Sequence, residues 1–134
     1  MCGIAGILRA STAGNTSPQH ALENMCEVLR ARGPDAVGYW QDKEADIHLG
    51  HRRLSIIDLD ERANQPFLSE DSRYVIVFNG EIYNFRDLRK QLEREGERFR
   101  TEGDTEVLLK LFIREGEKML PKLRGMFAFG IWDR

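Results

Sequence analysis

The chain has 134 residues, of which 41% are hydrophobic and 31% charged, the size and composition of one soluble globular domain with enough length to bury a core. Its 20 Lys and Arg against 22 Asp and Glu give a formal charge of −2, without the basic excess expected of a nucleic-acid or membrane-surface binder. The N-terminal Met1–Leu8 stretch lacks a basic region and no apolar run approaches a bilayer span, so neither a signal peptide nor a membrane protein is expected, and the cytosol is the expected compartment.

In chain order, Ile4–Leu8 reads as a strand and Ser11–Ser17 as a polar loop. Ser17 suits an N-cap and Pro18 the first helical position, and Ala21, Leu22, Met25, Val28 and Leu29 recur at helical spacing until Gly33-Pro34. Arg30 and Arg32 are expected at the negative end of that helix dipole. Val37–Gln41, Ile47–His51, Leu54–Ile57 and Tyr74–Phe78 are predicted strands, with a turn at Glu70–Arg73. Asn84 is expected to cap a helix running to about Glu95 and closed by Gly96. A further helix follows Asp104, with Val107, Leu108, Leu111 and Phe112 on one face and Gly116 at its end. A short helical piece at Lys118–Leu123 and a buried strand at Met126–Trp132 complete the pattern, which is α+β with largely antiparallel sheet.

The two cysteines, Cys2 and Cys26, make neither a disulfide scaffold nor a zinc motif, and His20, His48 and His51 lack ligand spacing, so no metal site is expected. Cys2 carries a sharper reading. The small side chain after Met1 permits removal of the initiator, and Cys2 would then hold a thiol and a free α-amine in one residue. An α-amine with an ordinary pKa of about 7.7–8.0 is partly neutral near pH 7 and can take the thiol proton. The plainer alternative is a small buried cysteine at the start of a strand.

Three other segments also have two readings. Asn79-Gly80 between apolar runs suits a type I′ hairpin turn; it also places a side-chain amide beside a backbone N–H unobstructed by a Cβ, as an oxyanion hole requires. In His51-Arg52-Arg53-Leu54-Ser55, an arginine fork could bind a carboxylate or could be a solvated or structurally paired charge. Asp104 could cap its helix or hold an ammonium group.

Taken together, Cys2-Gly3-Ile4-Ala5-Gly6-Ile7, Arg32-Gly33-Pro34-Asp35, His51-Arg52-Arg53-Leu54-Ser55-Ile56-Ile57-Asp58, Gln65-Pro66, Asn79-Gly80-Glu81-Ile82-Tyr83-Asn84, Asp104-Thr105-Glu106-Val107 and Gly125-Met126-Phe127-Ala128-Phe129 resemble the glutaminase domain of the asparagine synthetase family. These are class II, N-terminal-nucleophile glutamine amidotransferases, and the resemblance runs over residues 1–134. Glucosamine-6-phosphate synthases share the cysteine start but carry His-Thr-Arg-Trp-Ala-Thr-His-Gly where this chain has His51-Arg52-Arg53-Leu54-Ser55, which resembles the asparagine synthetase branch.

The resemblance implies a four-layer α/β/β/α sandwich with two antiparallel sheets. It implies Cys2 as nucleophile, Asn79 and Gly80 as oxyanion donors, Arg53 on the substrate carboxylate, Leu54 and Ile56 against the substrate, and Glu81 and Asp104 around its ammonium. Arg32 and Asp35 read as structural, or as concerned with coupling to a second active site. Glutamine is the implied substrate and an ATP-dependent synthetase domain or subunit the implied partner, with ATP and Mg belonging to that partner and no cofactor in residues 1–134. The ammonia would serve asparagine formation, or another acceptor in a sugar or polysaccharide pathway. A homo-oligomer is compatible with this reading. The chain stops at Trp132-Asp133-Arg134, before the further strands and the synthetase domain expected from the family, so a sandwich truncated on that side is anticipated. Two other classes stand beside the enzyme reading: a catalytically inactive binding or assembly module, and a redox or structural protein that uses Cys2 and Cys26.

Overall fold

A computed structural model describes residues 2–9 and 17–134. The elements are β1 (Gly3–Leu8), α1 (Pro18–Val28), β2 (Ala36–Asp42), β3 (Ile47–Arg53), a 3₁₀ turn (Glu61–Ala63), β4 (Phe67–Leu68), β5 (Tyr74–Ile82), α2 (Phe85–Arg94), α3 (Asp104–Glu115), a second 3₁₀ segment (Gly116–Lys122) and β6 (Gly125–Asp133). Met1 and most of the predicted 11–17 loop lie outside the described residues.

The strands form two three-stranded antiparallel sheets, ordered β1-β3-β2 and β4-β5-β6. Helix α1 covers the first sheet, while α2 and α3 cover the second, and β5 lies over β1 and β3. The result is the expected α/β/β/α layering, with antiparallel pairing throughout.

Side-chain alternation along the central strands explains this stacking. In β3, Arg52 faces α1, where its guanidinium donates to the Cys26 carbonyl at 3.0 Å and to Glu27 Oε2 at 2.6 Å. Gly50 faces the same way, and a Cβ there would lie 2.5 Å from Cys26 Sγ. Ile47, His51 and Arg53 look in the opposite direction. In β5, Ile76, Phe78 and Ile82 pack with Leu88, Leu92, Val107, Leu108 and Leu111 of the two helices, which form the larger core. Val75 and Val77, buried on the other face of β5, fill the layer between the sheets.

His51 joins the sheets across that layer. It is 1% exposed, and its Nε2 donates to the Phe78 carbonyl at 3.1 Å. A carbonyl can only accept, so Nε2 carries the proton of a neutral ring. Burial pushes the His51 pKa down to about 4; the Phe78 bond opposes this and the nearby Arg53 charge reinforces it.

Several expectations are corrected. Leu54–Ile57 is not a strand: its amides turn to side chains, with Leu54 N–H donating to Cys2 Sγ and Ser55 N–H to Asp35 Oδ2, and Ile56 is 71% exposed. Of the two readings of Asn79-Gly80 the hairpin turn falls: both residues lie within β5, opposite Ala128 and Phe127 of β6. β6 is a half-exposed strand rather than a buried one, because it lies at the end of its sheet and pairs only with β5. Neither Ser17 nor Asn84 makes a capping side-chain bond. The Asn84 amide instead donates to the Lys122 carbonyl and accepts from Arg124 N–H, fixing the entry to β6. Arg30 and Arg32 do not serve the helix dipole: Arg30 pairs with Glu27, and Arg32 reaches the Cys2 carbonyl.

The buried neutral His51 makes stability fall in acid. Its unfolded pKa of about 6.5 exceeds the folded value, so its contribution is complete above pH 6.5 and is lost as the pH falls through 4. The difference is worth roughly 3 kcal/mol at full extent. Chemical denaturation from pH 7 to 4 should therefore show a steeper loss in the wild type than in His51→Gln, which keeps a donor but does not titrate. Parallel pH profiles for the two proteins would contradict this account.

Candidate functional site

A cavity of about 190 Å³ opens between the ends of β1, β3 and β5 and the start of α3. It lies below the roughly 300–1,000 Å³ of sites for drug-sized ligands, a size suited to a molecule such as a single amino acid. Its lining includes Cys2, Arg53, Leu54, Ile56, Gly80, Glu81 and Asp104, seven of the eight residues singled out in the sequence. Asn79 is not part of the lining. By alternation its side chain shares the face of Val75 and Val77, toward the layer between the sheets, where its Oδ1 is buried without a hydrogen-bond partner.

Cys2 precedes β1, and its half-buried sulfur is held by one residue: Leu54 N–H donates to Sγ at 3.4 Å, and the thiol donates to the Leu54 carbonyl at 3.7 Å. Arg32 Nε donates to the Cys2 carbonyl at 3.2 Å. Gly33 lets this segment approach β3, since a Cβ there would collide with the Arg52 carbonyl. The Arg32-Gly33-Pro34-Asp35 motif thus orients the cysteine and, through Asp35, the segment after β3.

Arg53 is 8% exposed. Its guanidinium donates to the carbonyls of Asp58 and Asp60 and, at 2.7 Å, to Asn64 Oδ1. The Asp58–Asn64 loop is itself braced: Asp60 Oδ1 accepts from Arg62 N–H, and the Arg62 contacts hold the Asp60 carboxyl at about 2. Arg53 is therefore a fixed cation in the cavity wall, with no acidic side chain within ion-pair distance among the described residues. Alternation along β3 separates its role from that of Arg52, which is paired beneath α1.

Two carboxylates face the same space. Asp104, the first residue of α3, is buried and accepts from Ile82 N–H at 2.9 Å through Oδ2. Burial raises its pKa above the ordinary value; the bond from Ile82 opposes this, and the Glu81 charge adds to the rise. A ligand cation between Asp104 and Glu81 would offset both the cost of burying the carboxylate and the like-charge repulsion. The cavity thus presents a guanidinium for an anion, two acids for a cation and a thiol between elements that are otherwise satisfied.

The backbone supplies one further donor. Strand β4 pairs with β5 only at Val75 and Ile76, so among the described residues the β5 edge beyond Ile76 has no neighbouring strand. On that edge Phe78 N–H donates to Gln65 Oε1 at 2.6 Å, and Ile82 N–H to Asp104 Oδ2. The Gly80 N–H lies between them at the two-residue period, aimed to the same side, with no strand there to accept it. Gln65, His51 and Asp58 were not singled out as site residues from the sequence, although all three stand in the motifs that carry the family resemblance.

Among the described residues no three His, Cys, Asp or Glu side chains gather as a metal site, and no helix is long and apolar enough to cross a membrane. Cys2 and Cys26 are both free thiols, and burial beneath α1 raises the pKa of Cys26, so the disulfide expected of a redox or structural protein is absent.

The glutamine amidotransferase domain family model matches residues 1–134. The chain is 45% identical to asparagine synthetase [glutamine-hydrolyzing] 1 of Bacillus subtilis (strain 168), with all of this chain and 21% of that protein aligned. It is 38% identical to asparagine synthetase [glutamine-hydrolyzing] 2 of the same organism, again over all of this chain and 17% of the relative. The chain thus spans about a fifth of the length of these curated relatives. Among solved structures, glutamine phosphoribosylpyrophosphate amidotransferase from B. subtilis, complexed with ADP and GMP, superposes with a TM-score of 0.56 at 31% identity, covering 66% of this chain and 21% of that one.

Gly80 has a geometric test that needs no ligand. Its φ is +157°, and a Cβ would collide with the Met126 carbonyl and lie 2.6 Å from Phe127 Cα. Gly80→Ala should cost roughly 1–3 kcal/mol by overpacking, seen as a thermal midpoint lowered by several degrees. An unchanged midpoint would show that β6 yields freely at this position.

Proposed function

This chain belongs to the glutamine amidotransferase domain family, and from that membership we propose that residues 1–134 hydrolyse glutamine at the Cys2 cavity and release ammonia. The observation that carries this reading is the convergence on one amino-acid-sized cavity of the Cys2 thiol, the fixed Arg53 cation, the Glu81 and Asp104 acids and the unpaired edge of β5 at Gly80.

With Met1 removed, the Cys2 α-amine takes the thiol proton. The thiolate attacks the side-chain carboxamide carbon of glutamine, forming a C–S bond as the carbonyl π pair moves to oxygen. Gly80 N–H and Asn79 Nδ2 stabilise that oxyanion. The protonated amine returns its proton to the departing nitrogen, and ammonia leaves with a γ-glutamyl thioester on Cys2. Water then adds to the thioester, the C–S bond breaks, and glutamate and the thiol are regenerated.

The remaining wall binds the part of glutamine that does not react. Arg53 receives the α-carboxylate, Glu81 and Asp104 receive the α-ammonium, and Leu54 and Ile56 line the methylene path. Raising the Asp104 pKa by burial is costly in the empty site, and the arriving ammonium reverses that cost.

The relatives' names supply the finer reading. The ammonia passes to an ATP-dependent synthetase partner, domain or subunit, in asparagine formation. ATP and Mg would act in that partner, and the reaction is read as cytosolic.

Cys2→Ala should abolish glutamine hydrolysis while glutamine still binds in calorimetry, because the thiol makes the covalent bond and contributes little to ground-state affinity. Hydrolysis near the wild-type rate would exclude Cys2 as nucleophile. Arg53→Ala and Asn79→Ala should separate binding from chemistry. The first should act mainly on KM, at roughly 2–5 kcal/mol for a desolvated charge-assisted contact, with release of the Asp58–Asn64 loop adding in the same direction. The second should lower kcat by about 10²–10³, since its amide serves charge that develops only on the oxyanion. An exchange of these two patterns would contradict the assigned roles.

A further inference from the structure

The same stretch of β5 that would hold the oxyanion is fastened by side chains where a neighbouring strand is missing. Continuing the β4–β5 register by two residues sets Gln65 opposite Phe78, but the ladder ends at Phe67. The Gln65 side chain takes over: Oε1 accepts Phe78 N–H at 2.6 Å, and Nε2 donates to Thr105 Oγ1 at 3.3 Å. Because Phe78 N–H can only donate, the amide orientation is fixed. On the same edge, His51 Nε2 donates to the Phe78 carbonyl. Gln65 and His51 are both buried, and the Gln65 backbone packs closely on Gly38 of β2, where a Cβ would collide with the Gln65 carbonyl.

We propose that Gln65 and His51 are positioning residues that hold both backbone groups of Phe78 and thereby aim the Asn79–Gly80 donors at the reacting atom. Gln65 also ties this aim to the start of α3 through Thr105, beside Asp104, so the donor end and the ammonium end of the cavity are set by one buried amide. The inference rests on the glutaminase reading of the cavity. A clamp of this kind acts on charge that develops in the transition state, so its loss appears in kcat while ground-state binding at Arg53, Glu81 and Asp104 persists.

The test measures kcat and KM for glutamine in the intact protein, with competitive inhibition by glutamate as a readout of ground-state binding and thermal unfolding as a control. Gln65→Met and His51→Leu should each lower kcat roughly ten- to a hundredfold, the scale of an ångström-level misplacement, with KM and the glutamate inhibition constant changed less than about threefold. His51→Gln, which retains a donor, should stay within about threefold of wild-type kcat, whereas His51→Asn, too short to reach Phe78, should lose as much as His51→Leu. The Gln/Asn pair decides the matter if the apolar variants do not fold. Wild-type kcat in folded Gln65→Met or in His51→Asn would overturn the clamp, as would a loss confined to KM. A wild-type protein that does not hydrolyse glutamine would instead overturn the reading of the cavity itself.

Discussion

The organisation of the site follows from an unpaired strand edge. Every backbone N–H and C=O on β5 must find a partner or face solvent, and β4 covers that edge only as far as Ile76. Beyond it, Phe78 is satisfied by Gln65 and His51, and Ile82 by Asp104. Gly80 stands between these two closed positions, in the cavity lining and with no Cβ in the way. A complete ladder would consume its N–H donor, and a residue with a side chain would collide with β6. The same edge that needs side-chain partners for stability therefore provides the donor available for chemistry.

Electrostatics complete the arrangement because the charges are fixed before any ligand arrives. Arg53 is held by two carbonyls and an amide, which orient the guanidinium without neutralising it. Asp104 is held by a strand N–H while burial and Glu81 press against its charged form. A zwitterion with its carboxylate on the arginine and its ammonium near the acids would compensate each of these charges. Such a ligand extends its side chain toward whatever lies between, and the Cys2 sulfur, fixed by both backbone groups of Leu54, lies on the same cavity wall.

The layers and most elements were legible in the sequence, since helical periodicity and β-branched runs report directly on which faces are buried. Leu54–Ile57 misled because an apolar run was read as a ladder, while its amides bond to Cys2 and Asp35, groups distant in sequence. At Asn79-Gly80 the local turn preference, one of its two readings, gives way to the tertiary pairing with β6 that a glycine permits. The site residues were legible mainly as motifs in a shared order, and the structure gathers seven of them on one cavity. Asn79 stands apart from that lining, and the supporting Gln65 and His51 were hidden because their roles depend on where β4 stops, which no local pattern encodes.

On the proposed function, Cys2 is the first residue of the mature chain and forms a covalent bond with the side-chain carboxamide carbon of glutamine. Rapid acid quenching of the intact protein during glutamine turnover, followed by intact mass and peptide mapping, tests it directly. The account predicts a chain that begins at Cys2 and a fraction carrying one γ-glutamyl group on that residue, absent when glutamate replaces glutamine. Glutamine hydrolysis by a chain that retains Met1, or turnover with the γ-glutamyl group on another residue, would contradict it.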